Sequence, residues 1–280
     1  MTAPAPLSLE QIRSHWHDWA TRYGQELRAT TKTPTIKALE MDALARALRR
    51  HGLDRRPGRV LEVGTGNGIN VLGLARSFPQ LSFLGIDYVP EMVDSAKANL
   101  AAEAKTDASL PGRVRFAVGD ATRLHESLGQ EAFDAIITDR LVINLRPWAA
   151  QAACLDDMTG RLLPGGALLI LENFTDTYDP QNGLRVAAGL PARTPAEFNL
   201  FMETGQVERH LAPRLRLLDA DDFGSLHDIV LYVLVPLVNG GQVDYDHPMV
   251  KAATTLTLGM QGRLDAGRYG QNRLLRFTPR

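Results

Sequence analysis

One stretch limits what this chain can fold into: Arg59-Val60-Leu61-Glu62-Val63-Gly64-Thr65-Gly66-Asn67-Gly68-Ile69-Asn70. Val60 to Val63 is a short apolar run rich in β-branched residues, the composition of a buried strand, and it stops at a cluster of glycines. Past the cluster, Val71, Leu72, Leu74 and Ala75 recur at helical spacing. A strand that passes through a tight glycine turn into a helix offers backbone N–H groups to a ligand, and glycine permits both positive φ and close approach. A dinucleotide fingerprint would place its third glycine at position 69, which here is Ile69, so the G-x-G-x-G spacing after Glu62 argues against a pyrophosphate. The expected ligand is a nucleotide-like cofactor.

Four further apolar runs follow, each ending in a polar cluster. Leu81 to Ile86 ends in Asp87, about twenty residues beyond the glycine turn, where a carboxylate accepts both hydroxyls of a ribose. Val114 to Val118 leads into Gly119-Asp120-Ala121, and Phe133 to Thr138 into Asp139-Arg140. A helix over about 147–163 and a Pro164-Gly165-Gly166 turn precede the run Ala167 to Glu172. Strands alternating with helices predict a doubly wound α/β sheet with right-handed crossovers. Upstream, Ser8 and Gln11 have capping-box spacing before the Ile12, Trp16 and Trp19 stripe, which predicts a helix over 9–23. A polar stretch from Thr30 to Thr35 separates it from a second helix over 36–50. Residues 1–6 hold small residues and prolines and read as a disordered tip. The expected organisation is a helical appendage or lid over 1–50 and a core over 51–280.

Composition removes several function classes. Across 280 residues the formal net charge is -1, so no overall positive field exists to hold nucleic acid. Arg46, Arg49, Arg50, Arg55, Arg56 and Arg59 cluster, and are read as the solvated end of a helix and its turn. The single cysteine, Cys154, forbids an internal disulfide and a cysteine metal cluster, and its small apolar neighbours make it a core residue. No apolar run reaches the length of a bilayer, which gives the expectation of a cytoplasmic protein without a membrane partner. The expected partner is a small-molecule substrate rather than nucleic acid; the oligomeric state has no signal.

From Arg59 to Glu172 these stretches together resemble the class I S-adenosylmethionine-dependent methyltransferases. Glu62 to Gly68 resembles motif I, Gly85 to Met92 motif II and Gly119-Asp120-Ala121 motif III, and Leu163-Pro164-Gly165-Gly166 is similar to a common feature before the fifth strand. The resemblance implies a Rossmann-like fold, completed by Arg214–Leu218 and an antiparallel Asn272–Thr278 as a seven-stranded, mostly parallel sheet. The intervals 173–213 and 220–271 exceed ordinary connections and are expected to form a helical cap that sets substrate specificity. The cofactor implied is S-adenosyl-L-methionine, held by Glu62, Gly64, Thr65, Gly66, Gly68, Asp87, Tyr88, Met92, Asp120, Ala121 and Thr138. Asp120 also reads as a helix cap. The N-terminal segment would lie over the cofactor's methionine end, with Trp16, Tyr23 and Lys32 in reach.

A methyl sulfonium is already an activated electrophile, so the protein must align donor and acceptor and exclude water. An oxygen acceptor also needs a proton removed. Of the histidines in the expected cap, His210, His227 and His247, the choice is His227 beside Asp228, with Asp139 and Arg140 positioning the ligands. Thr138-Asp139-Arg140-Leu141 departs from the Asp/Asn-Pro-Pro-Tyr pattern with which relatives hold a planar nitrogen. The expected reaction is methyl transfer to a hydroxyl of a small polar or sugar-like metabolite. Small-molecule N-methylation comes second, ahead of a nucleotide-dependent oxidoreductase or a non-catalytic cofactor binder. In position, Asp139, Glu172 and Asn173 resemble the magnesium ligands of catechol-type relatives, with a longer Glu for Asp. The expectation is that no metal is used and that Glu172 caps the strand end.

Overall fold

The structure, a computed structural model, describes residues 7–31 and 33–280. The tip over 1–6 and the contact expected of Lys32 lie outside the described residues. Seven strands, β1 (Gly58–Val63), β2 (Leu81–Asp87), β3 (Val114–Val118), β4 (Phe133–Asp139), β5 (Leu162–Asn173), β6 (Leu215–Asp221) and β7 (Asn272–Pro279), form one sheet in the order β3-β2-β1-β4-β5-β7-β6. β3, β2, β1, β4 and β5 pair in parallel, whereas β7 lies antiparallel between β5 and β6.

The helices are α1 (Leu9–Tyr23), α2 (Pro34–Arg50), α3 (Ile69–Ser77), α4 (Pro90–Glu103), α5 (Leu124–Leu128), α6 (Trp148–Thr159), α7 (Thr175–Ala187), α8 (Thr204–Leu211), α9 (Ser225–Ile229), α10 (Val235–Val238) and α11 (Pro248–Gly259). A π-helical turn, Val230–Leu234, joins α9 to α10. Successive strand side chains point to opposite faces, so each continuous apolar run feeds two cores. Ala135, Ile137, Leu169 and Leu171 join the cluster beneath α2, α3 and α4, while Ile136, Leu168 and Ile170 join the cluster with α5, α6 and α8. Cys154 is buried in the second cluster.

Four expectations change. α2 is core, not appendage: Leu39, Ala43, Leu44 and Leu48 lie in the first cluster. β5 starts at Leu162, ahead of the expected turn. Its partner register jumps from Phe133↔Leu162 to Ala135↔Ala167, so Pro164-Gly165-Gly166 forms an irregularity within the strand, with Gly165 at φ +72°. β6 runs on to Asp221 because β7 pairs with it that far and Arg276 and Arg46 neutralise Asp219 and Asp221. The arginine cluster is largely paired rather than simply solvated: Arg46 and Arg50 meet Asp221, Arg56 meets Asp134 and Arg59 meets Glu131.

Candidate active site

In an open parallel sheet the crevice lies at the carboxyl ends of the strands. There a cavity of about 650 Å³ is bordered by Gly64 after β1, Asp87 at the end of β2, Gly119 after β3, Asp139 at the end of β4, Asn173 at the end of β5 and Asn272 at the start of β7. α1 lies along it: Trp16 Nε1 donates to Asn144 Oδ1 at 2.9 Å, Arg13 lies 4.5 Å over the Tyr88 ring, and His15 stacks on Phe198 at 4.6 Å.

The half over β1, β2 and β3 holds most of the residues expected to bind cofactor. Asp87 Oδ2 accepts the Gly66 N–H at 2.8 Å and Oδ1 accepts the Val89 N–H at 2.9 Å. Burial raises the Asp87 carboxyl above the ordinary carboxylate range in spite of these bonds. Each oxygen keeps a second lone pair for a ribose hydroxyl. Tyr88, Val89, Met92, Asp120 and Ala121 line the same half, as do Gly64, Thr65 and Gly66. Asp120 Oδ1 also accepts the Thr122 N–H at 2.8 Å, so it caps its own turn as well as facing the cavity.

Gly66 has φ +54°, and a Cβ there would come 2.5 Å from Thr30 Cγ2, so the glycine admits the polar segment after α1. Asn67 latches that segment by donating to the carbonyls of Gly24 and Glu26 at 3.1 and 2.9 Å.

Three expected cofactor ligands do not reach the cavity. Gly68 is the N-cap of α3 at φ +79°, where a Cβ would lie 2.6 Å from Phe116 Cζ; its role is close packing on β3. Thr138 is buried within β4. Glu62 turns beneath the turn, accepting from Thr65 Oγ1 and from Asn70 Nδ2, each at 2.7 Å. Burial among these neutral partners pushes its carboxyl up to about 7. A raised folded-state pKa gives stability that is complete below the unfolded carboxylate range and lost as pH climbs through 7. Glu62→Gln should therefore melt close to wild type near pH 5 and above it at pH 8, by at most about 3 kcal/mol at 1.36 kcal/mol per pKa unit. A thermal-shift difference that does not change between the two pH values would refute this.

The floor under β4 is an ion cluster. Lys37 Nζ lies 2.6 Å from Glu40 Oε2 and 2.7 Å from Asp139 Oδ2; Arg140 Nε lies 3.1 Å from Glu40 Oε1 and 3.3 Å from Asp139 Oδ1. Asn70 and Asn272 satisfy remaining lone pairs on Asp139 and Glu40 at 2.8 Å each. Burial alone would raise Asp139, but Lys37 and Arg140 outweigh it and hold the carboxyl below its ordinary value. Arg140 adopts φ +55°, a left-handed conformation uncommon for a side chain of this size, while its guanidinium reaches into the cluster. Asp139 and Arg140 thus face the cavity as members of a neutralised, rigid floor. Lys37 and Glu40 had a signal in the sequence: charges spaced i,i+3 on the otherwise apolar Leu44 and Leu48 face of α2.

Past β4 lies the other half, walled by Tyr178, Phe198, Phe201, Tyr232 and Tyr245. His227 is on its wall, 1% exposed, with Nδ1 2.7 Å from Asp228 Oδ1 and Nε2 3.1 Å from Thr35 Oγ1. A carboxylate only accepts, so Nδ1 carries the proton and Nε2 presents its lone pair to the threonine hydroxyl. His210 pairs with Asp156 and His247 caps α11, both outside the cavity; Tyr23 also stands outside it.

Glu172 does not point to a metal. It accepts the backbone N–H groups of Leu141, Val142 and Ile143 at 3.1, 3.0 and 3.3 Å, and Asn173 donates to Asn272 Oδ1 at 2.8 Å. Among the described residues no three His, Cys, Asp or Glu side chains converge as a metal site.

Residues 60–166 match a family model described as a methyltransferase domain. That stretch carries a methyltransferase domain, in line with the class I S-adenosylmethionine-dependent resemblance of its motifs. The cofactor expected from the sequence motifs is S-adenosylmethionine. The residues present fit that molecule: a carboxylate at the β2 end for the ribose, an apolar wall beside it, and on the lining a buried Thr31 hydroxyl without a partner among the described residues. A demethylmenaquinone methyltransferase of Deinococcus radiodurans is 34% identical over 180 residues, 64% of this chain and 62% of that protein. The chain therefore spans less than two thirds of that relative's length. A tRNA1(Val) (adenine(37)-N6)-methyltransferase of Porphyromonas gingivalis is 35% identical over 85 residues, 30% of this chain and 31% of that protein. The magnesium protoporphyrin IX methyltransferase of Synechocystis, solved with bound SAH, shares the fold at TM-score 0.58 and 14% identity, covering 97% of both chains. Among the described residues no helix is long and apolar enough to cross a membrane.

Proposed function

We propose that the chain transfers a methyl group from S-adenosylmethionine to the hydroxyl oxygen of a small hydroxyaromatic molecule. The observation that carries this reading is the His227 and Asp228 pair on the wall of the cavity that also contains Asp87. When bound, the cofactor supplies a methyl already activated by its sulfonium. Asp87 takes the ribose hydroxyls, and Tyr88, Val89, Met92 and Ala121 wall the adenine. Trp16 and the aromatic half of the cavity exclude water and hold a planar acceptor by edge and face contacts. The acceptor hydroxyl takes the place of Thr35 Oγ1 and gives its proton to His227 Nε2, while Asp228 fixes the imidazole and stabilises its cationic form.

The aromatic walls move the acceptor away from the sugar-like molecule expected from sequence. Likeness to the demethylmenaquinone enzyme supports a second reading, methylation of a ring carbon. The same proton removal serves it, because a hydroxyaromatic anion is nucleophilic at ring carbons as well as at oxygen. A nucleic-acid substrate fits less well, since the arginine belt is largely occupied by acids.

The test is incubation with methyl-labelled cofactor and a panel of catechols, hydroquinones, a demethylmenaquinol and unmodified tRNA. Nuclear magnetic resonance of the product then locates the new methyl. O-methyl products, formed equally after exhaustive chelation, are the expected result. Methyl on a ring carbon would move the assignment to the second reading, and label in tRNA alone would overturn both.

A further inference from the structure

Two groups stand out among the buried and half-buried cations of this protein. Lys37, Arg46, Arg140 and Arg273 each meet carboxylates, as a charge withdrawn from water requires. Arg185 and Arg193 do not. Arg193 donates Nη1 to Gln181 Oε1 at 3.0 Å and Nη2 to Gln271 Oε1 at 3.1 Å, and its guanidinium carbon lies 3.4 Å over the Tyr232 ring and 5.6 Å from the Tyr178 ring centre. Arg185 donates Nε to the Pro191 carbonyl at 2.9 Å and Nη1 to the Tyr232 carbonyl. Each of these partners is neutral. Asp228, which shares Gln271 with Arg193, is engaged by His227 and by the Gln271 N–H at 2.7 Å.

Arg193 is also held still: its backbone N–H donates to Asn182 Oδ1 at 2.9 Å and its carbonyl accepts Asn182 Nδ2 at 3.0 Å. A guanidinium fixed on both sides, with Nε–H unused among the described residues, is preorganised for an anion that is not protein. Beside it, the Tyr178 hydroxyl is buried with no hydrogen-bond partner among the described residues. Both residues line the half past β4, across the cavity from Asp87, which separates them from the ribose end of the cofactor.

We propose that Arg193, backed by Arg185 and joined by the Tyr178 hydroxyl, is the binding subsite for a carboxylate carried by the methyl acceptor. This deepens the reading above and rests on it for the placing of the acceptor. The site selects an anionic aromatic over its neutral isostere, because a charge-assisted, forked hydrogen bond strengthens only with the anion.

The experiment titrates benzoate and benzamide, the minimal pair, into the protein saturated with S-adenosylhomocysteine. Wild type should bind benzoate about tenfold or more tightly than benzamide. Arg193→Gln should abolish that preference, Arg193→Lys should keep part of it, and the affinity for S-adenosylhomocysteine should be the same in all three. Equal binding of the two probes by wild type, binding of neither, or a preference that survives Arg193→Gln would overturn the subsite. Turnover of neutral hydroxyaromatics without any benzoate preference would sink the subsite and keep the function. A benzoate preference lost with Arg193, in a protein that methylates no hydroxyaromatic, would do the reverse.

Discussion

Asp87→Ala should weaken binding of S-adenosylhomocysteine by about 30- to 1000-fold, the range given by roughly 2 to 4 kcal/mol for a pair of charge-assisted hydrogen bonds to one ribose. The carboxylate also accepts the Gly66 and Val89 N–H groups, so the variant loses the acceptor that shapes the glycine turn. Thermal stability should fall as well, by about 1 to 2 kcal/mol for two partly buried donors left without partners. Asp87→Asn separates the two effects, because its one remaining oxygen still accepts one amide and one hydroxyl while its NH2 faces the other donor. Calorimetric titration of both variants measures this, and an affinity within threefold of wild type for Asp87→Ala would place the ribose elsewhere.

His227→Ala should lower turnover by about 10²- to 10⁴-fold, the contribution of a positioned general base, with the affinity for S-adenosylhomocysteine within a few-fold of wild type. Thr35→Val is the contrasting variant. It removes the hydroxyl that occupies His227 Nε2 without removing the base, so turnover should hold within about tenfold. Loss of cofactor affinity in parallel with turnover in His227→Ala would show instead that the imidazole supports the wall. Full activity in that variant would remove it from the reaction.

The sheet was legible because buried parallel strands are continuous apolar runs, and β1, β2 and β4 each end within a residue of where the runs end. β5 shows the limit of that reasoning. Pro164-Gly165-Gly166 has the composition of a turn, yet pairing with β4 draws it into the strand as an irregularity, and only the partner strand reveals that. Asp87, the glycine turn and the His227 and Asp228 pair, which line one cavity, were marked by type and spacing. Glu62 was marked too, but for the wrong task. Its spacing matches cofactor ligands, whereas its direction, beneath the turn toward Thr65 and Asn70, is a property of packing. The floor cluster joins α2, the end of β4 and the start of β7, positions that are far apart in the chain and meet only when the sheet is assembled. Arg193 and Tyr232 lie in irregular or π-helical backbone, where no periodicity announces a wall.

The match to the family stops at residue 166, and the aromatic side of the crevice begins at Asn173. On the function proposed above, donor and acceptor are handled by stretches of chain that barely overlap, stitched together by α1 and by the charged floor. On that reading, substitutions along 173–271 redirect which molecule is modified without touching the glycine turn or Asp87. A new acceptor then calls for a new wall, and not for a new chemistry.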